Sequence, residues 1–183
     1  MRRAWMTLVI AAAIGAGASD VAAQAPGPLS LDLNVGRGIG TGHGTYLDNS
    51  DGFIGDVLLA YRLRGIGSGG LLAAFEAGIQ GIGAYATICM EPQNDQCVQP
   101  FPEFEVFAAA VGWENSSGSL RAFAGPAVVH ADETAGGIFA RGDVALPLFS
   151  RVWGVAGVRG VIVPDYRGDS FQLGGISFGL RIR

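Results

Sequence analysis

The chain has 183 residues and a formal net charge of −4, and because it contains no lysine, all of its basic side chains apart from two histidines are arginines. This acidic balance argues against a nucleic-acid partner, which requires a basic surface. The 30 glycines show no period of three and are interleaved with apolar residues, which excludes a collagen-like chain and low-complexity disorder.

The first predicted element is a secretory signal peptide over residues 1–23. Two arginines near the start precede an uncharged run over residues 4–19, and the small residues 21–23 fit a cleavage site. The alternative is a membrane anchor, but the run is shorter than the roughly 20 apolar residues that a spanning helix needs. We therefore expect an exported protein whose folded part, residues 24–183, is one domain.

The segment GRGIGTGHG, residues 36–44, follows the alternating stretch LSLDLNV and resembles the start of a phosphate-binding loop. A Walker loop needs a lysine, and a dinucleotide fingerprint needs a helix after the glycines. The following TYLDNSDG is instead rich in turn residues. We therefore predict no nucleotide cofactor, and we interpret the glycines as the end of a strand, on the same face as the polar residues of LSLDLNV.

Alternation of apolar and polar residues recurs along the chain and predicts eight β-strands. They cover residues 29–35, 53–64, 71–85, 100–113, 120–130, 138–148, 152–163 and 175–183. Most exceed the length of about 5–6 residues that is usual in globular proteins and match the roughly 9–11 of a membrane-spanning strand. Long or medium loops at 39–52, 86–100, 131–137 and 164–170 alternate with turns at 65–70, 114–119 and near Ser150. This pattern predicts an all-β fold, an eight-stranded antiparallel up-and-down transmembrane β-barrel.

Two cysteines, Cys89 and Cys97, lie in the second long loop. In an exported protein, a pair flanking Pro92 and polar residues predicts a disulfide that closes the loop. A metal site needs more ligands than this segment offers, so no metal is expected.

One face of each strand carries the large apolar residues, and the other face carries small residues with a few charges of mixed sign. In a soluble lipocalin-like barrel the two faces are reversed, so that the interior is apolar and the exterior is polar. We expect the charges to pair in a side-chain-filled lumen, because eight strands enclose only enough space for side chains. The predicted lumen network consists of Asp56, Arg62, Glu76, Glu103, Glu105, Arg121, Arg141, Asp143, Arg159 and Arg181.

The pattern of residues 29–183 resembles that of the small eight-stranded outer-membrane barrels, the OmpA/OmpX-like group. The resemblance implies residence in a bacterial outer membrane and insertion by the barrel-assembly machinery, which reads an alternating last strand. Members usually end in an aromatic residue, whereas this chain ends SFGLRIR, with Arg183 after Ile182. We expect a monomer whose partners are outer-membrane lipids.

The candidates for catalysis are weak. His43 and His130 are predicted at the loop rim, and a site with Ser50 can be imagined, but no nucleophile motif supports it. The acidic loops lack the spacing of an EF-hand. We therefore predict a non-enzymatic structural or surface-interaction barrel without cofactors and with at most a narrow conductance. The alternatives are a soluble periplasmic barrel that binds an apolar ligand and an enzyme that modifies outer-leaflet lipid.

Overall fold

The computed structural model describes residues 28–42, 50–66, 69–82, 88–89, 97–98, 103–166 and 168–183, and the chain forms ten β-strands within these ranges. Eight of them build a closed barrel: β1 (Leu29–Gly42), β2 (Ser50–Ile66), β3 (Gly69–Ile82), β6 (Glu103–Asn115), β7 (Leu120–His130), β8 (Thr134–Pro147), β9 (Val152–Tyr166) and β10 (Asp169–Ile182). The other two, β4 (Ile88–Cys89) and β5 (Cys97–Val98), lie between β3 and β6 in the chain and form a small, separate antiparallel sheet.

Each barrel strand pairs with the barrel strands before and after it in the chain, and all pairs are antiparallel. The first and last strands close the barrel in a register that runs from Leu31 opposite Ile182 to Gly42 opposite Phe171. The predicted eight-stranded up-and-down barrel is therefore confirmed. We call the end with the connections 67–68, 116–119 and 148–151 the turn end, and the opposite end the loop end.

Two of the loops at the loop end are shorter than predicted. The connection between β7 and β8 is residues 131–133, and the one between β9 and β10 is residues 167–168. The start of β8 was missed because its Ala and Gly residues give no hydrophobic alternation. The end of β9 was missed because Pro164 reads as a strand breaker. Pro164 is tolerated because the ladder with β8 ends at Ile138 opposite Ile162, so its missing N–H removes no regular pair there.

The outward face of the barrel is apolar on every strand, and its large side chains stay exposed. Val35, Leu59, Phe75, Phe107, Val128, Val144, Val158 and Phe178 are examples that represent all eight strands, each at least 41% exposed. Alternate residues point inward and are buried, including the polar residues Ser30, Asp32 and Asn34 at the start of β1. No helix within the described ranges is long and apolar enough to cross a membrane.

The predicted signal peptide, residues 1–23, lies outside the described residues and stays a prediction, as does the domain boundary at residue 24.

Candidate functional site

The lumen holds a continuous set of ion pairs to which every barrel strand contributes, and all of its side chains except the partly exposed Arg62 are buried. This lumen network consists of Asp32, Asp56, Arg62, Glu76, Glu114, Arg121, Arg141, Asp143, Arg159, Arg181 and Arg183. Inward positions recur every second residue along a strand. The barrel closure then brings together groups that lie far apart in sequence.

The centre of the network is organised around Arg141 on β8. Its Nη1 lies 2.6 Å from Asp56 Oδ1 and 2.9 Å from Glu76 Oε2, and its Nε lies 2.8 Å from Asp143 Oδ1. Arg159 on β9 donates from Nη1 to Glu76 Oε1 at 2.6 Å. A single guanidinium thus bridges β2, β3 and β8, and its fully buried side chain requires these partners because an unpaired charge is strongly unfavourable inside a protein.

Two amides extend the central cluster. Asn34 donates from Nδ2 to Asp56 Oδ1 at 2.7 Å. Gln80 accepts from Arg159 Nη2 at 3.2 Å and donates to the carbonyl oxygens of Ile39 at 3.2 Å and Gly174 at 3.1 Å. A Cβ at Gly38 would lie 2.8 Å from Gln80 Nε2, so the glycine makes room for this side chain. Part of the glycine run that resembles a phosphate loop therefore serves lumen packing.

A second cluster joins the two strands that close the barrel. Arg181 on β10 donates from Nε to Asp32 Oδ1 at 2.9 Å and from Nη2 to Asp32 Oδ2 at 2.8 Å. This forked pairing is the geometry that an arginine forms best with a carboxylate. Arg181 Nη2 also lies 3.3 Å from Asp143 Oδ2, which connects this pair to the central cluster.

A third cluster surrounds Glu114 near the turn end. Its carboxylate accepts from Arg121 Nε at 2.5 Å, from Arg183 Nη2 at 2.9 Å and from Arg62. Arg121 Nη1 donates to Ser30 Oγ at 2.8 Å and lies 3.8 Å from Asp32 Oδ1, so this cluster is continuous with the others.

Arg183 follows the last strand and folds back over the turn end. It donates from Nη2 to the Gly118 carbonyl oxygen at 2.6 Å, and its guanidinium carbon lies 4.4 Å from the centre of the Trp153 ring. A Cβ at Gly118, which has a φ of 73°, would collide with this guanidinium. The glycine is therefore needed both for its left-handed backbone and for the space it leaves.

The part of the lumen nearest the loop end is apolar. Phe104, Tyr166 and Phe171 form an aromatic group with ring centroids 5.2 to 6.3 Å apart. Val129 and Phe139 are fully buried in the same hydrophobic cluster. The lumen is thus apolar towards the loop end, whereas from the middle to the turn end the ion pairs lie beside further buried apolar side chains such as Leu58, Leu72 and Phe123.

The structure places eight of the ten predicted network residues in the lumen and two outside it. Glu103 is exposed and Glu105 is half-buried, because the inward positions of β6 at this level are Phe104 and Val106. The expectation for Glu103 and Glu105 is therefore corrected: both carboxylates lie on the outward face near the loop end, where the strands of a membrane barrel leave the hydrocarbon.

Sequence reasoning missed three charged members of the network. Asp32 lies on the polar face of the first predicted strand, which was a usable signal. Glu114 was placed in the turn at 114–119, although β6 continues to Asn115. Arg183 ends the last predicted strand, but its return over the turn end depends on contacts with Glu114 and Gly118 that no sequence pattern shows.

The remaining candidates form no site within the part of the chain that the structure describes. His43 lies outside the described residues. His130 contacts Thr134, with Nδ1 2.8 Å from Oγ1. Cys89 and Cys97 are opposite each other in the pairing of β4 with β5, and the disulfide between them stays a prediction. Within the described ranges, no three His, Cys, Asp or Glu side chains are placed to hold a metal ion.

These features define the class of fold: a small, closed, eight-stranded barrel of the outer-membrane type, as the resemblance to the OmpA/OmpX-like group predicts. Neither a protein-family model nor a curated protein sequence matches the chain. Several solved structures do match the chain.

Neisserial surface protein A is 14% identical and matches with a TM-score of 0.56 over 87% of this chain and 99% of its own. The attachment invasion locus protein Ail of Yersinia pestis is 11% identical, with a TM-score of 0.47 over 84% of this chain and 98% of its own. A second Ail structure, in complex with the heparin analogue sucrose octasulfate, gives a TM-score of 0.46 at 11% identity over 84% and 99% of the two chains. At such identities, the match to the neisserial protein shows a shared fold.

Proposed function

We propose that this protein is a non-enzymatic bacterial outer-membrane barrel that anchors a surface-exposed loop end for interaction with molecules outside the cell. The observation that carries this proposal is that the exterior of the barrel is apolar and its interior carries the buried charges. Large apolar side chains are exposed on all eight strands, whereas Asp32, Glu76 and Arg181 are at most 1% exposed inside. A barrel with this arrangement is stable in lipid, because the hydrocarbon covers the apolar exterior.

The same observation disfavours a soluble barrel that carries an apolar ligand. Such a protein needs a polar exterior and an open apolar interior. Here the apolar part of the lumen is filled, since Val129, Phe139 and Val163 are completely buried. An exterior that exposes Val35, Leu146 and Phe178 by 62–73% also far exceeds the apolar patches of ordinary soluble proteins.

The lumen is closed at two levels, so we expect no stable conductance. The aromatic group of Phe104, Tyr166 and Phe171 fills it near the loop end, and the Arg141 cluster fills it at the centre. An eight-stranded barrel has space for side chains but not for a wide aqueous channel.

The surface for interaction is proposed on the side of the loop end where the longest connection leaves the barrel. Residues 83–102 connect β3 to β6 and contain the β4–β5 sheet, whereas the connections at 131–133 and 167–168 are short. Binding residues commonly lie on loops that a rigid scaffold supports. We propose further that the chain inserts as a monomer through the barrel-assembly machinery and is surrounded by outer-membrane lipid. The alternation of Ile176, Phe178 and Leu180 in β10 supports recognition of the last strand.

Epitope tags test membrane residence and orientation together. We expect a tag inserted after Asn94 to bind antibody on intact cells, and a tag inserted after Ser117 in a turn to bind only after the outer membrane is opened. Both proteins should fractionate with the outer membrane, require detergent for extraction and migrate faster on a gel before heating than after. Release into the soluble periplasm, or the opposite accessibility of the two tags, contradicts the proposal.

A further inference from the structure

A small cavity lies at the turn end, beside the cluster around Glu114. Its volume is about 10 Å³, and its polar lining comes from Ser30, Arg62, Glu114, Arg121 and Arg183. This volume is close to the smallest space that holds one water molecule. A halide ion is larger than a water molecule and enters only when the partly exposed side chain of Arg62 moves outward, whereas a phosphate or sulfate group needs far more space.

The charges that line this cavity do not balance. Glu114 is the only carboxylate in its lining, and it accepts hydrogen bonds from Arg62, Arg121 and Arg183. One carboxylate offsets one guanidinium, so two positive charges remain. Asp32 relieves Arg121 only weakly, since Oδ1 and Nη1 are 3.8 Å apart, and Asp32 already pairs with Arg181 through both carboxylate oxygens.

The whole lumen network is also positive, by one charge. Six arginines face five carboxylates within the described residues, and the ions at the centre are paired at 2.6 to 2.9 Å. At the centre, Asp56, Glu76 and Asp143 outnumber Arg141 and Arg159 by one charge, and Arg181 balances Asp32. The turn-end cluster therefore carries two excess positive charges, one of them on the partly exposed side chain of Arg62. Buried charges without compensation are strongly unfavourable, so one negative charge at this place stabilises the fold.

Arg183 has spare hydrogen-bonding capacity beside the cavity. Its side chain is 6% exposed, and its Nε is buried and has no hydrogen-bond partner among the described residues. Burial, together with the positive charges of Arg121, Arg181 and Arg62, lowers the pKa of Arg183 to about 10.

We propose that this cavity is a binding site for one small monovalent anion of chloride size, held by Arg62, Arg121 and Arg183. The anion offsets one of the two excess positive charges and accepts the N–H of Arg183 Nε, which has no hydrogen-bond partner among the described residues. The anion exchanges with solvent past Arg62, because the side chain of Arg62 is 39% exposed while those of Arg121 and Arg183 are 4% and 6% exposed. The site makes the stability of the barrel depend on halide.

The test measures thermal unfolding of the full chain in detergent micelles, with sodium chloride exchanged for sodium gluconate or sodium sulfate at constant ionic strength. Chloride should raise the unfolding midpoint with saturation, and the larger anions should not. At a chloride concentration ten times the dissociation constant, the ratio of folded to unfolded protein should rise about elevenfold. Bromide should replace chloride and give an anomalous diffraction peak in the cavity.

Variants assign the effect to the cavity. We expect Arg183→Gln and Arg62→Gln to abolish the chloride dependence, and Arg62→Gln keeps the test usable if Arg183→Gln does not fold. Arg64→Gln is the matched control, because Arg64 is exposed on the same strand as Arg62 but does not line the cavity. Equal midpoints in chloride and gluconate, an equal or larger response to sulfate, or loss of the effect in Arg64→Gln overturns the proposal.

Discussion

The pair between Asp32 and Arg181 offers the sharpest test of how the barrel is held closed. Both side chains are completely buried, and their two forked hydrogen bonds join the first strand to the last at 2.9 and 2.8 Å. Removing one partner of a buried ion pair destabilises a protein by about 3–5 kcal/mol. In Arg181→Gln, Asp32 keeps a 3.8 Å contact with Arg121, so we expect the lower end, about 3 kcal/mol.

A loss of about 3 kcal/mol reduces the folding equilibrium constant more than a hundredfold. The assay is equilibrium unfolding in urea with the protein in lipid vesicles, and the folded fraction is read from heat-modifiable migration on a gel. Asp32→Asn should lose a similar amount. The double variant should lose less than the sum of the two single variants, by about 1–3 kcal/mol, because it removes both charges together.

Arg64→Gln is the control for loss of an arginine in itself. Arg64 is exposed, so its removal should change the free energy of unfolding by less than about 0.5 kcal/mol. Single-variant losses below about 1 kcal/mol, or a double variant equal to the sum, refute the conclusion that this pair closes the barrel.

Three further predictions address the two faces of the barrel. Val158→Arg puts a charge on the outward face at the middle of β9 and should destabilise the protein in vesicles by about 2–4 kcal/mol, measured by the same urea titration. An unchanged free energy of unfolding would mean that this face does not contact lipid. Gly38→Val should displace Gln80 from its two carbonyl partners and reduce the free energy of unfolding by about 1–3 kcal/mol. Gly55→Ala is the control and should be neutral, because its added Cβ meets no atom within 4 Å. Equal losses in the two variants contradict the role of Gly38 in making room for Gln80. Glu76→Gln should be strongly destabilising, because Arg141 and Arg159 lose their common charged partner, and Glu105→Gln should have almost no effect. A larger loss of stability in Glu105→Gln than in Glu76→Gln would mean that Glu105, and not Glu76, is the buried carboxylate.

The sequence predicts the strand number and the inward charges well where alternation is clear. Arg141 and Asp143 have the opposite parity to the large apolar residues Ile138, Val144 and Leu146, and this pattern identifies the inward face without knowledge of the fold. The partners of Arg141 could not be predicted, because Asp56 and Glu76 lie 85 and 65 residues away and meet it only across the closed lumen.

The prediction failed where both faces of a strand are apolar or where a strand leaves the membrane. In β6, Phe104 and Val106 point inward while Phe107 points outward, so hydrophobicity does not distinguish the faces. Glu103 and Glu105 were assigned inward on the assumption that a charge avoids the outward face. That assumption holds within the hydrocarbon but not at the rim, where water and lipid headgroups solvate a carboxylate.

The most direct test of the central claim, an exterior in lipid around a sealed lumen, is a collision-accessibility scan along β9 in vesicles. Spin labels are attached to single cysteines in a variant that lacks the two native cysteines. Labels at Val158 and Ile162 should contact membrane-dissolved oxygen, and labels at Val155 and Val161 should contact neither oxygen nor a water-soluble nickel reagent, because these side chains are buried in the lumen. Access of the nickel reagent to Val158 and Ile162 would contradict a lipid-facing exterior, and its access to Val155 and Val161 would contradict a sealed lumen.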